Sequence, residues 1–382
     1  MLANGARDGA KRRKRLLAAG AGALAVTLLS WGVITYLARG GPPAPTPASP
    51  FQFRPVLDEA QTRKLFTIAD RADLRYDPVA YITQVPNTSS RWKWAEHPNG
   101  FFVRNVNNLA FNEVSPTAVE KRGLRILVAG DSHTGGLENA EETFSNVAER
   151  ALMRILGRPD VEVLNAGVGY TSPTCYLGML HKHLALRPDA FVAVLFTGND
   201  FLEETVIAYS SGSVPAPLTP DDYYERAKDV QHTHAGPFSQ GLNQAYRWSS
   251  FPQEIELCTR MALEAFRAMK GVCDALGIPF LGVLLPTKMD VDEDDRPNWL
   301  EATHLLGLSE DDVRLDLRTG QRLFEALRAE GIECLDPTEE MVRSTEVLYW
   351  KLDYHIGVNG CTLLGERLAT RLAELLRAPA GE

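Results

Sequence analysis

Residues 124–135 read LRILVAGDSHTG, and they indicate the fold class of the chain. Its first six residues form a near-continuous apolar run, as expected for a strand that is buried on both faces of a parallel sheet. Gly130 follows the run and permits a tight turn, after which comes Ser132. The serine is therefore predicted to lie beyond the carboxyl end of a strand, where open α/β sheets bind their ligands.

Four more apolar runs follow, and segments of helical period separate several of them. The further predicted strands are residues 161–164, 191–196, 278–285 and 332–335. Residues 144–155 have one apolar helical face and end at Gly157, and residues 255–276 have another and end at Gly277. The alternation predicts right-handed βαβ crossovers and a three-layer α/β sandwich around a central parallel sheet of about five strands.

Polar turns follow three of the predicted strands and precede the last predicted helix. Residues 130–133 (GDSH) follow the first strand, 165–170 (NAGVGY) the second and 198–200 (GND) the third. Residues 353–355 (DYH) come after the fifth strand and before a terminal leucine-rich helix. Because the carboxyl ends of parallel strands share one edge of the sheet, we expect these turns to meet there.

Together the four turns make residues 124–377 resemble the SGNH (GDSL-like) hydrolases. The resemblance implies a flavodoxin-like SGNH fold and a serine hydrolase triad. Ser132 would be the nucleophile, His355 the base and Asp353 the carboxylate that orients the imidazole. The final block here is Asp-x-His, whereas Asp-x-x-His is commoner in the family.

The resemblance also implies an oxyanion hole, formed by the backbone N–H groups of Ser132 and Gly169 and the side chain of Asn199. The second block is one residue shorter than is common in the family, so Gly167 is an alternative to Gly169. Asp131 is expected to stabilise the turn, and His133 to line the pocket.

Metal binding has little support in the sequence. The five cysteines show no C-x-x-C spacing, and His232 and His234 lack a third ligand nearby. The acidic run 290–295 lacks the glycine and glutamate spacing of an EF-hand loop, which favours a charged surface loop. We therefore predict no metal and no cofactor.

The N-terminal region predicts a membrane anchor. Residues 16–38 contain no charged side chain, and as a helix they would span roughly 34 Å, enough to cross a bilayer. Residues 11–15 are all basic, so the positive-inside rule places residues 1–15 in the cytoplasm as a basic tail and the rest of the chain outside it. A cleaved signal peptide is the alternative.

The remaining boundaries follow from composition. Residues 39–50 are predicted to form a Pro-rich linker, 51–123 an N-terminal cover region, and 124–382 the hydrolase domain. Residues 201–250 interrupt the strand–helix alternation, and this insertion is expected to shape the binding site because it follows the third strand.

These features predict a single-pass inner (plasma) membrane protein with an extracytoplasmic serine esterase domain. Its expected reaction is hydrolysis or transfer of acyl groups, such as acetyl, on a polysaccharide or glycan. A lipid esterase or thioesterase with the same triad, or a non-catalytic scaffold of an envelope assembly, are the alternatives. The formal net charge of −9 argues against a nucleic acid partner.

Overall fold

The structure is a computed structural model that describes residues 53–377. The predicted tail 1–15, membrane span 16–38 and linker 39–50 lie outside the described residues. None of the helices in the described part of the chain is both long enough and apolar enough to cross a membrane.

Nine strands form three sheets within residues 53–377. They are β1 (Leu74–Asp77), β2 (Tyr81–Gln84), β3 (Thr88–Lys93), β4 (Phe101–Val106), β5 (Leu124–Ala129), β6 (Val161–Asn165), β7 (Ala190–Phe196), β8 (Phe280–Leu285) and β9 (Glu333–Leu335). β1 pairs with β2 and β3 with β4 as antiparallel hairpins, while the other five form a parallel sheet in the order β6-β5-β7-β8-β9.

Fifteen α-helices lie within residues 53–377. They are α1 (Glu59–Leu65), α2 (Ser132–Gly135), α3 (Phe144–Leu156), α4 (Pro173–His183), α5 (Asp200–Ser211), α6 (Asp221–Thr233), α7 (Ala235–Pro237), α8 (Asn243–Ser250), α9 (Gln253–Leu276), α10 (Lys288–Val291), α11 (Arg296–Leu305), α12 (Glu310–Val313), α13 (Leu315–Ala329), α14 (Thr338–Arg343) and α15 (Val358–Arg377). The predicted three-layer α/β fold with a five-stranded parallel sheet is confirmed.

The core lies on both faces of this sheet. Alternate residues of β5 point to opposite sides: Ile126 and Val128 pack with α3 and α15, whereas Leu127 and Ala129 pack with α4, α9 and α13. All four side chains are buried, and burying a residue such as leucine or valine stabilises the fold by roughly 1.5–3 kcal/mol. The apolar run that predicted β5 is therefore explained by helices on both sides.

The helix ends follow the sequence signals. Thr143 caps α3 by accepting a hydrogen bond from Asn146 N–H, and Gly157 ends the helix with a φ of 65°. Gly277 ends α9 with a φ of 66°. The N–H of Ile278 still donates to the carbonyl of Cys273 (3.0 Å), so β8 begins two residues later than predicted, at Phe280.

Residues 94–96, which precede the parallel sheet, pack against the loop that carries the polar turn at residues 353–355. The Glu96 carboxylate accepts a hydrogen bond from the Leu352 N–H (3.0 Å), and the rings of Trp94 and Trp350 contact each other edge to face. These contacts attach residues 94–96 to the loop that carries Asp353 and His355.

The insertion 201–250 is largely helical and is attached to the third turn. Its π-helical segment Phe238–Leu242 leads into α8. The Gln244 amide accepts from Leu202 N–H (2.8 Å) and donates to the Thr197 carbonyl (2.7 Å). The second half of the insertion is thus held beside the carboxyl end of β7.

We predict that Glu204→Gln changes the pH dependence of stability. The Glu204 side chain is buried on α5 and accepts from the Thr174 N–H (2.5 Å) and hydroxyl (2.8 Å). Burial raises the pKa of its carboxyl from 4.5 to about 7. The folded state therefore binds this proton more tightly than the unfolded state, and its contribution to stability is lost as the pH rises from 4.5 to 7.

The free energy of unfolding, measured by urea denaturation between pH 5 and pH 8, should accordingly rise for Glu204→Gln relative to the parent as the pH increases. Glu256→Gln, at an exposed position of α9, controls for the loss of one carboxylate. A difference between Glu204→Gln and the parent that stays constant over this range would contradict the assignment.

Candidate active site

The turn after β5 presents Ser132 at the start of α2. The Asp131 carboxylate accepts from the His133 N–H (2.9 Å), which caps this short helix. A side chain at Gly130 would place its Cβ 2.0 Å from Thr134 Oγ1, so the turn requires glycine at this position. Burial raises the pKa of Asp131 to about 6.

Three side chains predicted from the sequence lie in one hydrogen-bonded row. His355 Nε2 is 2.8 Å from Ser132 Oγ, and His355 Nδ1 contacts the carboxylate of Asp353. Asp353 remains 31% exposed, whereas only 10% of the His355 side chain is exposed. The imidazole is therefore held between a hydroxyl and a carboxylate, with the carboxylate at the edge of the protein.

The loop that carries His355 is a small hairpin. Tyr349 and Ile356 form an isolated antiparallel bridge, and Trp350 N–H donates to the His355 carbonyl (2.8 Å). Tyr354 has a φ of 71°, in the left-handed region that non-glycine residues rarely adopt. This turn bends the backbone between Asp353 and His355, which is how the shortened Asp-x-His block brings the two side chains into contact.

Tyr354 is held by residues of the acidic run. Its hydroxyl donates to the Asp295 carboxylate, and its ring lies 4.3 Å from Lys288 Nζ. Lys288 and Asp295 also form a buried ion pair (3.0 Å). The prediction of a charged surface loop at 290–295 is wrong for Asp290 and Asp295, whose side chains are buried because they bind groups from neighbouring elements.

His133 lies behind the row of three side chains. It is buried, and its ring stacks on those of His355 (4.4 Å between centroids) and Phe196 (3.7 Å). Its Nδ1 accepts from Ile356 N–H (3.2 Å), so Nε2 carries the proton and donates to Gln240 Oε1 (3.0 Å). Burial lowers the pKa of His133 well below its usual value. The expectation that this residue lines the pocket is wrong, because α2 turns it into the core.

The second and third turns place polar groups beside Ser132. A Cβ added to Gly169 would lie 3.4 Å from Ser132 Cβ, and within residues 53–377 the Gly169 N–H has no acceptor. Gly167 lies deeper, where its N–H donates to Asn165 Oδ1 (3.0 Å). The geometry therefore places Gly169, rather than the alternative Gly167, at the nucleophile.

Asn199 begins α5 and faces the same space. Its side-chain amide makes no hydrogen bond with any residue of the described chain, although Oδ1 is buried. The adjacent Asp200 holds the turn, because its carboxylate accepts from Phe196 N–H (2.9 Å) and Tyr176 OH (2.8 Å). Asn199 thus brings to the cleft a side-chain amide that has no partner among residues 53–377, so its N–H group is available as a donor.

These groups open into a cleft of about 870 Å³. Its floor contains the five residues Ser132, Gly169, Asn199, Asp353 and His355. Its walls come from the N-terminal cover and the insertion, and include Arg71, Trp92, Trp94, Arg104, Tyr170, Glu203, Phe238 and Gln240. In the part of the chain that the structure describes, no group of three or more His, Cys, Asp or Glu side chains is arranged to hold a metal.

Several residues that shape this site were missed in the sequence. Glu96 and Gln240 contact the site from segments without a motif, and the role of His133 depends on which way α2 turns its ring. Only His133 carried a signal, through its position next to Ser132. The assembled arrangement suits nucleophilic acyl transfer, because a hydroxyl, a base, an orienting carboxylate and hydrogen-bond donors surround one cleft.

Comparison with known proteins gave matches among solved structures alone. No family model matches the chain, and no curated protein does. A lipase/acylhydrolase from Enterococcus faecalis is 14% identical over 66% of this chain and 96% of its own, with a TM-score of 0.37. An acetyl xylan esterase is 13% identical over 65% and 100% (TM-score 0.34), and a two-domain esterase active on acetylated mannans is 13% identical over 69% and 52% (TM-score 0.38).

We predict that His133 is a neutral imidazole with its proton on Nε2 and that it does not titrate between pH 5 and pH 8. Burial disfavours the charged ring, and the Ile356 N–H occupies Nδ1. Long-range ¹H–¹⁵N correlation spectra of the histidine-labelled protein measure both properties. His133→Gln would assign the signals by removing them, and a proton on Nδ1 or a change of charge within this range would contradict the prediction.

Proposed function

We propose that the chain is a serine ester hydrolase that removes acyl groups, such as acetyl, from a glycan. The observation that carries this proposal is the 2.8 Å contact between Ser132 Oγ and His355 Nε2, with Asp353 on the other ring nitrogen. Beside them, the Asn199 amide has no partner within residues 53–377. A binding scaffold would not need this arrangement.

The geometry supports a two-step mechanism. Ser132 Oγ attacks the ester carbonyl carbon while His355 takes the hydroxyl proton, and Asp353 stabilises the resulting imidazolium. The N–H groups of Ser132 and Gly169 and the Asn199 amide hold the oxyanion. His355 then returns the proton to the leaving alcohol, and a water molecule, activated by the same imidazole, releases the acyl group from Ser132. No step needs a cofactor.

The residues that line the cleft favour a glycan substrate over a long acyl chain. Trp92 and Tyr170 are 44% and 58% exposed and offer flat faces that suit sugar rings. Gln231 and Asn243 add polar side chains to the lining of the same cleft. Polar lining of this kind suits a hydroxyl-rich substrate better than a long acyl chain.

We also propose that this domain acts outside the cytoplasm, as residues 11–15 and 16–38 predict. A phosphatase reporter that is active only in an oxidising, extracytoplasmic compartment should be active when fused after Glu382. A matched reporter that fluoresces only in the cytoplasm should stay dark at the same position. The opposite pattern would refute this location.

We predict that Ser132→Ala and His355→Ala each remove nearly all esterase activity on p-nitrophenyl acetate, because nucleophile and base act as one unit. A fluorophosphonate probe should label the parent at Ser132 and fail to label Ser132→Ala. The circular dichroism spectra and the thermal unfolding temperatures of both variants should be close to those of the parent. Acetyl esters should be cleaved faster than long-chain esters, and sugar acceptors should be tested for acyl transfer.

In the same assay Asn199→Ala should lower kcat about 100-fold, roughly 3 kcal/mol in the barrier, as loss of one oxyanion donor does. Asp353→Asn should also slow the reaction strongly, by disturbing the orientation of the imidazole. Gly271→Ala, on the open side of α9, is the control for a remote substitution. Full activity in Ser132→Ala would rule out the proposed mechanism.

A further inference from the structure

Arg104 is a cation of the cleft wall that has no acidic partner among the residues that the structure describes. It lies on β4 and lines the same cleft as Ser132 and Gly169. Its guanidinium donates to the Gly136 carbonyl (2.8 Å), its Cζ lies 5.7 Å from the Trp92 ring, and its Nε is buried without a hydrogen-bond partner. Among residues 53–377, no carboxylate lies within 4.0 Å of Arg104.

The two acidic residues that most affect the pKa of Arg104, Asp73 and Glu138, already bind other groups. Asp73 accepts two hydrogen bonds from Arg71, at 3.0 and 2.9 Å. Glu138 accepts from the Leu137 N–H and the Cys361 thiol, and burial raises its pKa to about 7. Burial lowers the pKa of Arg104, the two acids raise it from a distance, and the nearby Arg71 lowers it further. Neither acid forms an ion pair with Arg104.

An arginine remains charged in proteins, and a partly buried charge without a counter-ion is unfavourable unless a ligand supplies one. Lys93, another cation of the cleft, is exposed and is stabilised by water instead. The Nε atom itself is buried, but the terminal Nη1 group makes no hydrogen bond with any residue among 53–377, and Arg104 lines the cleft. The planar guanidinium, without an acidic partner, therefore points to an anionic ligand such as a carboxylate in the cleft.

We propose that Arg104 anchors an anion subsite for the sugar carboxylate of an acidic, uronate-bearing glycan. This assignment rests on the proposed function and makes its substrate class specific. The exposed ring of Trp92 lies beside the guanidinium and offers a face for the same sugar unit.

The test measures binding to the inert Ser132→Ala protein, so that its result does not depend on catalysis. Calorimetry is carried out with O-acetylated oligogalacturonate and with O-acetylated xylo-oligosaccharide of equal length. The Ser132→Ala protein should bind the uronate more tightly. Adding Arg104→Gln should weaken uronate binding about 10- to 100-fold, as loss of a charge-assisted pair does, and reduce its salt dependence.

Arg91→Gln is the matched control, because Arg91 lies on the paired strand β3, where it stacks on Phe101 (3.5 Å) and does not line the cleft. It removes the same charge from the same hairpin and should leave the preference for uronate unchanged. Equal effects of the two substitutions, or equal binding of both oligosaccharides, would overturn the subsite.

A competition experiment with inorganic phosphate tests whether the site binds a phosphate group instead of a sugar carboxylate. If phosphate displaces the oligogalacturonate at equal concentration and loses affinity in Arg104→Gln, the site binds phosphate and the carboxylate assignment is wrong. In the active protein, Arg104→Gln should lower the ratio of kcat/KM for the acidic over the neutral ester. Absence of any ester hydrolysis would refute the proposed function, whereas the binding results would still decide the subsite.

Discussion

The buried imidazole of His133 holds three distant segments of the chain in one arrangement. It accepts a hydrogen bond from Ile356, donates one to Gln240, and stacks on His355. These contacts join three segments: the turn after β5, the hairpin 349–356 that carries Asp353 and His355, and the insertion 201–250. Because burial keeps the ring neutral, it adds no charge next to His355. The position of the proposed base therefore depends on a residue with no part in the chemistry.

The parallel sheet explains why these segments meet. Strand order β6-β5-β7 places the turns after β5, β6 and β7 side by side at one edge, at the point where the chain reverses its direction across the sheet. Ser132, Gly169 and Asn199 each follow one of these strands. Because β6, β5 and β7 are adjacent and parallel, their carboxyl ends lie at the same edge, so the proposed nucleophile and oxyanion donors share one space.

Residues from the N-terminal cover region and from the insertion 201–250 form the walls of the cleft around these three turns. Glu96 holds the backbone of the 351–355 loop, and Gln244 holds the turn at Thr197. Arg104 belongs to the cover and Phe238 to the insertion, and both face the cleft. The sheet thus supports the proposed chemistry, while the two appended regions present the groups that would select a substrate.

Local patterns in the sequence were sufficient for the five strands of the parallel sheet, the helices that end at Gly157 and Gly277, and the polar turns, because periodicity and turn residues act over a few neighbouring positions. They did not predict the two hairpins β1–β2 and β3–β4. They placed Ser132, Asn199 and His355 at the same edge of the sheet. The tertiary structure alone brought Gly169 rather than Gly167 next to Ser132, turned His133 into the core and buried Asp295 against Tyr354. Among residues 53–377 it also left Arg104 without an acidic partner. These outcomes depend on contacts between residues far apart in the chain, and no local pattern records which distant groups will meet.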